Sequence, residues 1–76
     1  MPTTKIIISG RVQGVGFRYW IRGKLRKLGL EGEAWNRDDG TVGAEFSGEA
    51  VLLQKMIRFC RQGPPLASVD KVAILK

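Results

Sequence analysis

The spacing of hydrophobic residues in the first third of this 76-residue chain predicts a strand followed by a helix. Residues 4–9 read TKIIIS, a run rich in β-branched side chains that stops at Gly10 and is typical of a strand. From there the apolar residues recur at intervals of four, four and three, as on one helix face: Phe17, Ile21, Leu25 and Leu28. Gly29 is placed to end this helix, because glycine readily adopts the left-handed conformation found after helix C-termini.

The middle of the chain has the pattern of a β-hairpin. Residues 31–37 predict a short strand, and residues 41–47 alternate Val42, Ala44 and Phe46 with other residues, as in a half-buried strand. Between them lies Asp38-Asp39-Gly40, and its Asp-Gly pair favours a tight turn with positive φ.

A second helix and a last strand complete the predicted order. The helix is expected to begin at Ser47-Gly48-Glu49, where a carboxylate suits the positive end of the helix dipole, and to end at Gly63-Pro64-Pro65. Its predicted buried face contains Leu52, Leu53, Met56, Ile57 and Cys60. Residues 69–76 then form a strand. The order β-α-β-β-α-β predicts an α+β, ferredoxin-like sandwich: one domain over residues 1–76, with an antiparallel sheet and two helices on one face.

Composition excludes several classes of protein and of chemistry. The chain is 43% hydrophobic and 26% charged, as soluble globular proteins are, and no apolar run approaches the ~20 residues of a membrane span. We therefore expect a cytoplasmic protein with no membrane partner. The chain has no histidine and a single cysteine, Cys60, so Cys–His and Ser–His nucleophile pairs and a zinc site are excluded. We expect Cys60 to be a buried core residue.

Positive charge is concentrated in the first 30 residues. The net charge is +6, and this segment holds seven lysines and arginines and no acidic residue. Such asymmetry suggests an anionic partner. Solvated cations on one helix face are the alternative explanation for Arg22, Lys24, Arg26 and Lys27.

A glycine-rich loop joins the first strand to the first helix. Residues 10–18 read GRVQGVGFR, with glycines at 10, 14 and 16. Glycines let successive backbone N–H groups turn into one concavity at the start of a helix, and Arg18 can place its guanidinium on two oxygens of a tetrahedral anion. The loop is neither a Walker motif nor a GxGxxG match, so a phosphate cradle and a tight turn that simply needs glycine both stay open.

The same loop resembles the signature of the acylphosphatases, small enzymes that hydrolyse carboxyl-phosphate bonds. A second stretch, residues 32–42 (GEAWNRDDGTV) followed by Gly48, resembles the family's second motif. Residues 63–72 (GPPLASVDKV) resemble the usual entry to its fourth strand. The resemblance covers nearly the whole chain and implies the ferredoxin-like fold reached above.

The resemblance also implies a site and a reaction. It makes Arg18 the residue that binds the phosphoryl oxygens and Asn36 the residue that orients the attacking water. The loop that would help to bind phosphate through its backbone amides is Gln13, Gly14, Val15, Gly16, Phe17 and Arg18. We expect a monomer that hydrolyses small acyl phosphates, releases inorganic phosphate, and uses no cofactor, no metal and no nucleic acid.

Two features depart from the family pattern. An aromatic residue usually follows the motif glycine, where this chain has Glu33, and the aromatic residue stands instead at Trp35. Residues 33 and 35 share one side of a strand, so an exchange of roles would leave Asn36 undisturbed. Relatives usually continue into a further edge strand, and we expect this domain to lack it.

Two other functions share this predicted topology. RNA-recognition domains have the same element order, but their central strands carry aromatic residues, whereas TKIIIS has none and the third strand offers Phe46. A non-catalytic acylphosphatase-like module is the second alternative, although both Arg18 and Asn36 are present.

Overall fold

Six elements follow one another in the predicted order in the computed structural model, which describes residues 2–75. They are β1 (Thr3–Arg11), α1 (Phe17–Leu28), β2 (Glu31–Asn36), β3 (Val42–Ser47), α2 (Ala50–Gln62) and β4 (Ser68–Leu75). The strands form one sheet in the order β2-β3-β1-β4, and each neighbouring pair is antiparallel. α1 packs mainly on β2 and α2 mainly on β4. The predicted ferredoxin-like arrangement is confirmed.

The strand boundaries differ from the prediction by one or two residues. β1 continues past residue 9 to Arg11, because after an irregularity at Ser9/Gly10 it pairs with the start of β4 at Ser68. β2 ends at Asn36, one residue earlier than predicted, because Arg37 enters the turn. β4 begins at Ser68 instead of residue 69, and the predicted last position, Lys76, lies outside the described residues.

The core lies between the sheet and the two helices. Ile6 and Ile8 of β1 are fully buried beneath the helices, and Phe17, Ile21 and Leu25 of α1 pack against them. Of the five residues predicted to form the buried face of α2, four are buried: Leu53, Met56, Ile57 and Cys60. The fifth, Leu52, is half-buried and packs against the core. The 3.6-residue and two-residue periods read from the sequence therefore identify the core correctly.

Cys60 is a core residue, as predicted. Its side chain is inaccessible to solvent, and burial raises the pKa of the thiol to about 12. A thiolate is the reactive form of cysteine, so Cys60 stays protonated and unreactive in the folded protein at neutral pH.

Gly29 determines where α1 ends. Gly29 ends the helix in the left-handed conformation, with φ 72°, and the following N–H of Leu30 donates to the carbonyl oxygen of Leu25 at 2.9 Å. This 6→1 hydrogen bond is the one that defines a Schellman cap. The prediction that Gly29 stops the helix is confirmed.

The open face of the sheet is organised around Trp35. Its indole lies across Gly43, its register partner on β3, and Lys5 places its Nζ 5.8 Å from the centre of the ring. A Cβ atom added to Gly43 would lie 2.5 Å from Trp35 Nε1, so this approach requires glycine. Glu33 and Trp35 occupy the same face of β2, as their spacing predicts.

Two glycine-to-alanine substitutions are expected to change stability in opposite directions. Gly23 lies exposed inside α1, and a Cβ atom added to it would meet no other group within 4 Å, so Gly23→Ala should raise the free energy of unfolding by about 0.5–1 kcal/mol. Gly43→Ala should lower it by about 1 kcal/mol or more, because the Trp35 ring must shift. Urea denaturation followed by tryptophan fluorescence measures both. A Gly43→Ala variant as stable as the parent would contradict the packing of Trp35.

Candidate active site

A cleft opens where β1 gives way to α1, beside the end of β2. It has a volume of about 280 Å³. Its walls are formed by Val12, Gly14, Gly16, Phe17, Arg18, Tyr19, Arg22 and Asn36. Five of the residues predicted from the sequence to form the site therefore meet here: Gly14, Gly16, Phe17, Arg18 and Asn36. The side chains of the other two, Gln13 and Val15, are directed elsewhere.

The loop before α1 turns its backbone through two left-handed glycines. Gly14 has φ 75° and Gly16 has φ 77°, a conformation that costs other residues about 1 kcal/mol or more. Gly16 occupies the N-cap position, and its carbonyl oxygen accepts the N–H of Trp20 at 3.0 Å. Glycine has no side chain with which to cap the helix, and the first turn carries no acidic residue. The first amides of α1 are thus left for an external acceptor.

Arg18 and Asn36 approach the cleft from different elements. Arg18 is exposed in the first turn of α1, and none of the carboxylates in residues 2–75 pairs with its guanidinium. Asn36 is the last residue of β2 and lies on the same side as buried Ala34, which is the side that faces the helices. The packing of α1 on β2 brings both polar side chains to one opening.

Gln13 binds the loop to the hairpin that follows Asn36. Its side-chain amide donates to the carbonyl oxygens of Arg37, at 2.8 Å, and of Thr41, at 2.9 Å. The family resemblance assigned Gln13 to the phosphate-binding loop, and its side chain does not line the cleft. Each hydrogen bond joins residues that are more than 20 positions apart in the sequence, so no local sequence pattern predicts it. Val15, in the same loop, is half-buried and packs against the core.

The turn between β2 and β3 is closed by its own polar groups. Gly40 has φ 89°, and its N–H donates to the carbonyl oxygen of Arg37. The N–H of Arg37 in turn donates to the carbonyl oxygen of Thr41. Asp39 Oδ1 accepts the hydroxyl of Thr41 at 2.6 Å and its backbone N–H at 3.1 Å. These hydrogen bonds, with a smaller effect of the nearby Arg37 guanidinium, lower the pKa of Asp39. The predicted Asp-Gly turn is confirmed, and it fixes the chain immediately after Asn36.

The cations of α1 have different surroundings. Arg22 lines the cleft, and its Nε lies 3.7 Å from a carboxylate oxygen of Glu33 on β2. Lys24 is half-buried between the helices, with its Nζ 4.6 Å from the ring centre of Phe59 and 5.7 Å from that of Trp20. The alternative of a solvated basic face therefore does not describe Lys24, which is half-buried, whereas Arg22 is exposed, as that alternative expects. Arg26 and Lys27 are exposed in the last turn.

Two further features of residues 2–75 bear on partners. No three histidine, cysteine, aspartate or glutamate side chains in this range come together as a metal-binding group. None of its helices has the length and apolar character needed to cross a membrane.

Fold and cleft together define a ferredoxin-like α/β sandwich in which a glycine loop, a helix N-terminus, an arginine and a strand-end asparagine face one opening. The family model described as Acylphosphatase matches residues 4–76. The chain belongs to the acylphosphatase family.

Individual relatives are similar over nearly all of the chain. An acylphosphatase of Acidiphilium cryptum is 49% identical over 72 residues, which cover 95% of this chain and 79% of that protein. The crystal structure of acylphosphatase from Bacillus subtilis matches with a TM-score of 0.95 and 37% identity, over 99% of this chain and 83% of that one. Full-length HypF, in a phosphate- and nucleotide-bound form, matches with a TM-score of 0.81 and 31% identity, over 96% of this chain and 10% of that one.

Replacing Gln13 is expected to loosen the hairpin. Gln13→Ala leaves the carbonyl oxygens of Arg37 and Thr41 without this donor, and the free energy of unfolding should fall by about 1–2 kcal/mol. Amide hydrogen exchange should accelerate at Arg37 and Gly40. Gln54→Ala, at an exposed position of α2, is the matched control and should change neither quantity. Unchanged exchange in Gln13→Ala would contradict the role given to this side chain.

Proposed function

We propose that this protein is an acylphosphatase that hydrolyses the carboxyl-phosphate bond of small acyl phosphates and releases inorganic phosphate. Its family membership supports the reaction class. The observation that carries the proposal is the meeting of Arg18, the left-handed glycines and Asn36 in one cleft at the uncapped start of α1. Each of these groups has a distinct part in the mechanism.

Arg18 and the loop bind the phosphoryl group. A guanidinium presents two parallel N–H donors, which match two oxygens of a phosphate, and Arg18 has no competing carboxylate among the described residues. The free amides at the start of α1 and those of the glycine loop supply further donors and a favourable dipole. These donors neutralise charge on the phosphoryl oxygens as the bond to the leaving group lengthens.

Asn36 orients the attacking water. Its carboxamide offers both a donor and an acceptor, and at the edge of the cleft it can hold a water opposite the leaving group. The water oxygen forms a bond to phosphorus while the bond from phosphorus to the acyl oxygen breaks. The carboxylate leaves with the electron pair, and a proton of the water passes to the phosphate. The contribution of Asn36 is positioning, which lowers the entropic part of the barrier.

The chemistry of the substrate explains why a chain without histidine suffices. The leaving group is a carboxylate of low pKa, so no general acid is needed to protonate it. The phosphate itself accepts the proton of the water, so no strong base is required either. We therefore propose catalysis without a metal or an organic cofactor, by positioning and electrostatic stabilisation.

We further propose a cytoplasmic monomer that does not act on nucleic acid. The central strands of an RNA-recognition domain present aromatic rings on the open face of the sheet. Here the corresponding positions of β1 are Lys5 and Ile7, and those of β3 are Gly43 and Glu45. Phe46, the aromatic residue of β3, is fully buried beneath the helices. The central strands therefore supply no aromatic side chain to the open face, and the ring that lies there, Trp35, comes from the edge strand β2.

Inorganic phosphate is expected to bind the cleft before any substrate arrives. Phosphate or sulfate should inhibit the hydrolysis of benzoyl phosphate competitively and raise the melting temperature, because an anion that binds only the folded state stabilises it. Thermal denaturation and steady-state kinetics at tens of millimolar phosphate measure both effects. Sodium chloride at equal ionic strength is the control. Absence of both competition and a thermal shift would contradict the proposed phosphate site.

Substitutions at Arg18 and Asn36 should separate binding from turnover. Arg18→Gln should abolish phosphate inhibition and activity together, and Arg18→Lys should not restore them, because a lysine lacks the planar fork. Asn36→Ala should retain phosphate inhibition while kcat falls by about 100-fold or more, since the residue contacts the water and not the phosphate.

Circular dichroism establishes that these variants are folded before kcat and the inhibition constant are compared. A folded Arg18→Gln variant with near parental kcat would contradict the role of the arginine. An Asn36→Ala variant that loses phosphate affinity but keeps its turnover would contradict the role of the asparagine.

A further inference from the structure

The cleft holds a second arginine that the proposed hydrolysis does not use. Arg22 follows Arg18 by four residues, so the two side chains lie one turn apart on the same side of α1, and both line the cleft. One helical turn rises ~5.4 Å, about the length of a short acyl group. A phosphoryl group bound at Arg18 and the glycine loop therefore leaves Arg22 about one helical turn away, within reach of an acyl group that extends along the cleft.

The neighbouring carboxylate of Glu33 leaves the guanidinium of Arg22 able to bind another anion. Its carboxylate lies 3.7 Å from Arg22 Nε, beyond hydrogen-bond distance, and the two side chains are 72% and 46% exposed. Water screens such an exposed pair strongly. The contact is on the Nε side, which leaves the two terminal nitrogens of the guanidinium for another acceptor.

The lining residues of the cleft include two cations and no carboxylate. Arg18 and Arg22 are joined by Val12 and Phe17, whose side chains are almost fully buried, and by Tyr19, which stands exposed at the rim. This lining is complementary to a molecule with two anionic groups, a phosphate at one end and a second anion at the other.

We propose that Arg22 determines specificity by binding a carboxylate on the acyl group, so that the preferred substrates are mono-acyl phosphates of dicarboxylic acids. The inference rests on the proposed function, because it assumes that the phosphoryl group binds at Arg18. It differs from that function in assigning a substrate class and in giving Arg22 no part in breaking the phosphorus–oxygen bond.

The test compares two substrates that differ by one carboxylate, benzoyl phosphate and 4-carboxybenzoyl phosphate. The measured quantity is the ratio of kcat/KM for the carboxylated substrate to kcat/KM for benzoyl phosphate. Wild type should show a ratio above one, and Arg22→Gln should lower that ratio by about fivefold or more. Arg26→Gln is the matched control: it removes the same charge one turn further along α1, outside the cleft, and should change the ratio less than twofold.

The outcomes separate the inference from the proposed function. Equal losses on both substrates in Arg22→Gln, or an equal fall of the ratio in Arg26→Gln, would overturn the role of Arg22 and leave acylphosphatase activity standing. Wild-type hydrolysis of neither substrate would overturn the proposed function and the inference with it. If Arg22→Gln melts below the assay temperature, Arg22→Lys replaces it and should lower the ratio by a smaller factor, because it keeps the charge but loses the fork.

Discussion

Hydrogen bonding of β1 to β3 on one side and to β4 on the other holds the two halves of the chain in one sheet. β3 also pairs with β2 on its other edge. The end of β2 therefore lies near the point where β1 leaves the sheet and α1 begins. Asn36 and Arg18, which are 18 residues apart, meet for that reason. The two hydrogen bonds of Gln13 add a direct connection between the loop and the hairpin, so the cleft is bounded by segments fixed at both ends.

Periodic and local features of this fold were readable from the sequence, and long-range side-chain contacts were not. The Phe17–Leu28 repeat, the stop at Gly29 and the Asp-Gly turn are local, since each depends on residues a few positions apart. The continuation of β1 to Arg11 depends on Ser68, and the position of the Gln13 amide depends on Thr41. Family resemblance supplied Arg18 and Asn36. It gave no indication that Arg22 lines the cleft, which required the helix to be placed against β2.

Solvent exposure shapes the electrostatics of the cleft. Arg18 and Asn36 are both exposed, so bulk water screens simple attraction between a guanidinium and an approaching anion. In the proposed function, affinity for a phosphoryl group comes from several donors that act on it together, those of Arg18, the glycine loop and the start of α1. Two of the nearby carboxylates have other partners: Asp39 accepts hydrogen bonds from Thr41, and Glu33 lies beside Arg22.

The cleft draws every one of its walls from the first 36 residues, although the fold is built from two similar β-α-β halves. Within residues 2–75, the second half, with α2 and β4, contributes core and sheet pairing but no side chain to the opening. In the proposed function, the outer surface of α2 therefore carries no catalytic group. We expect this surface to tolerate substitutions, fusion to another domain or attachment of a label. The core residues of the helix must be kept, because the fold depends on their burial.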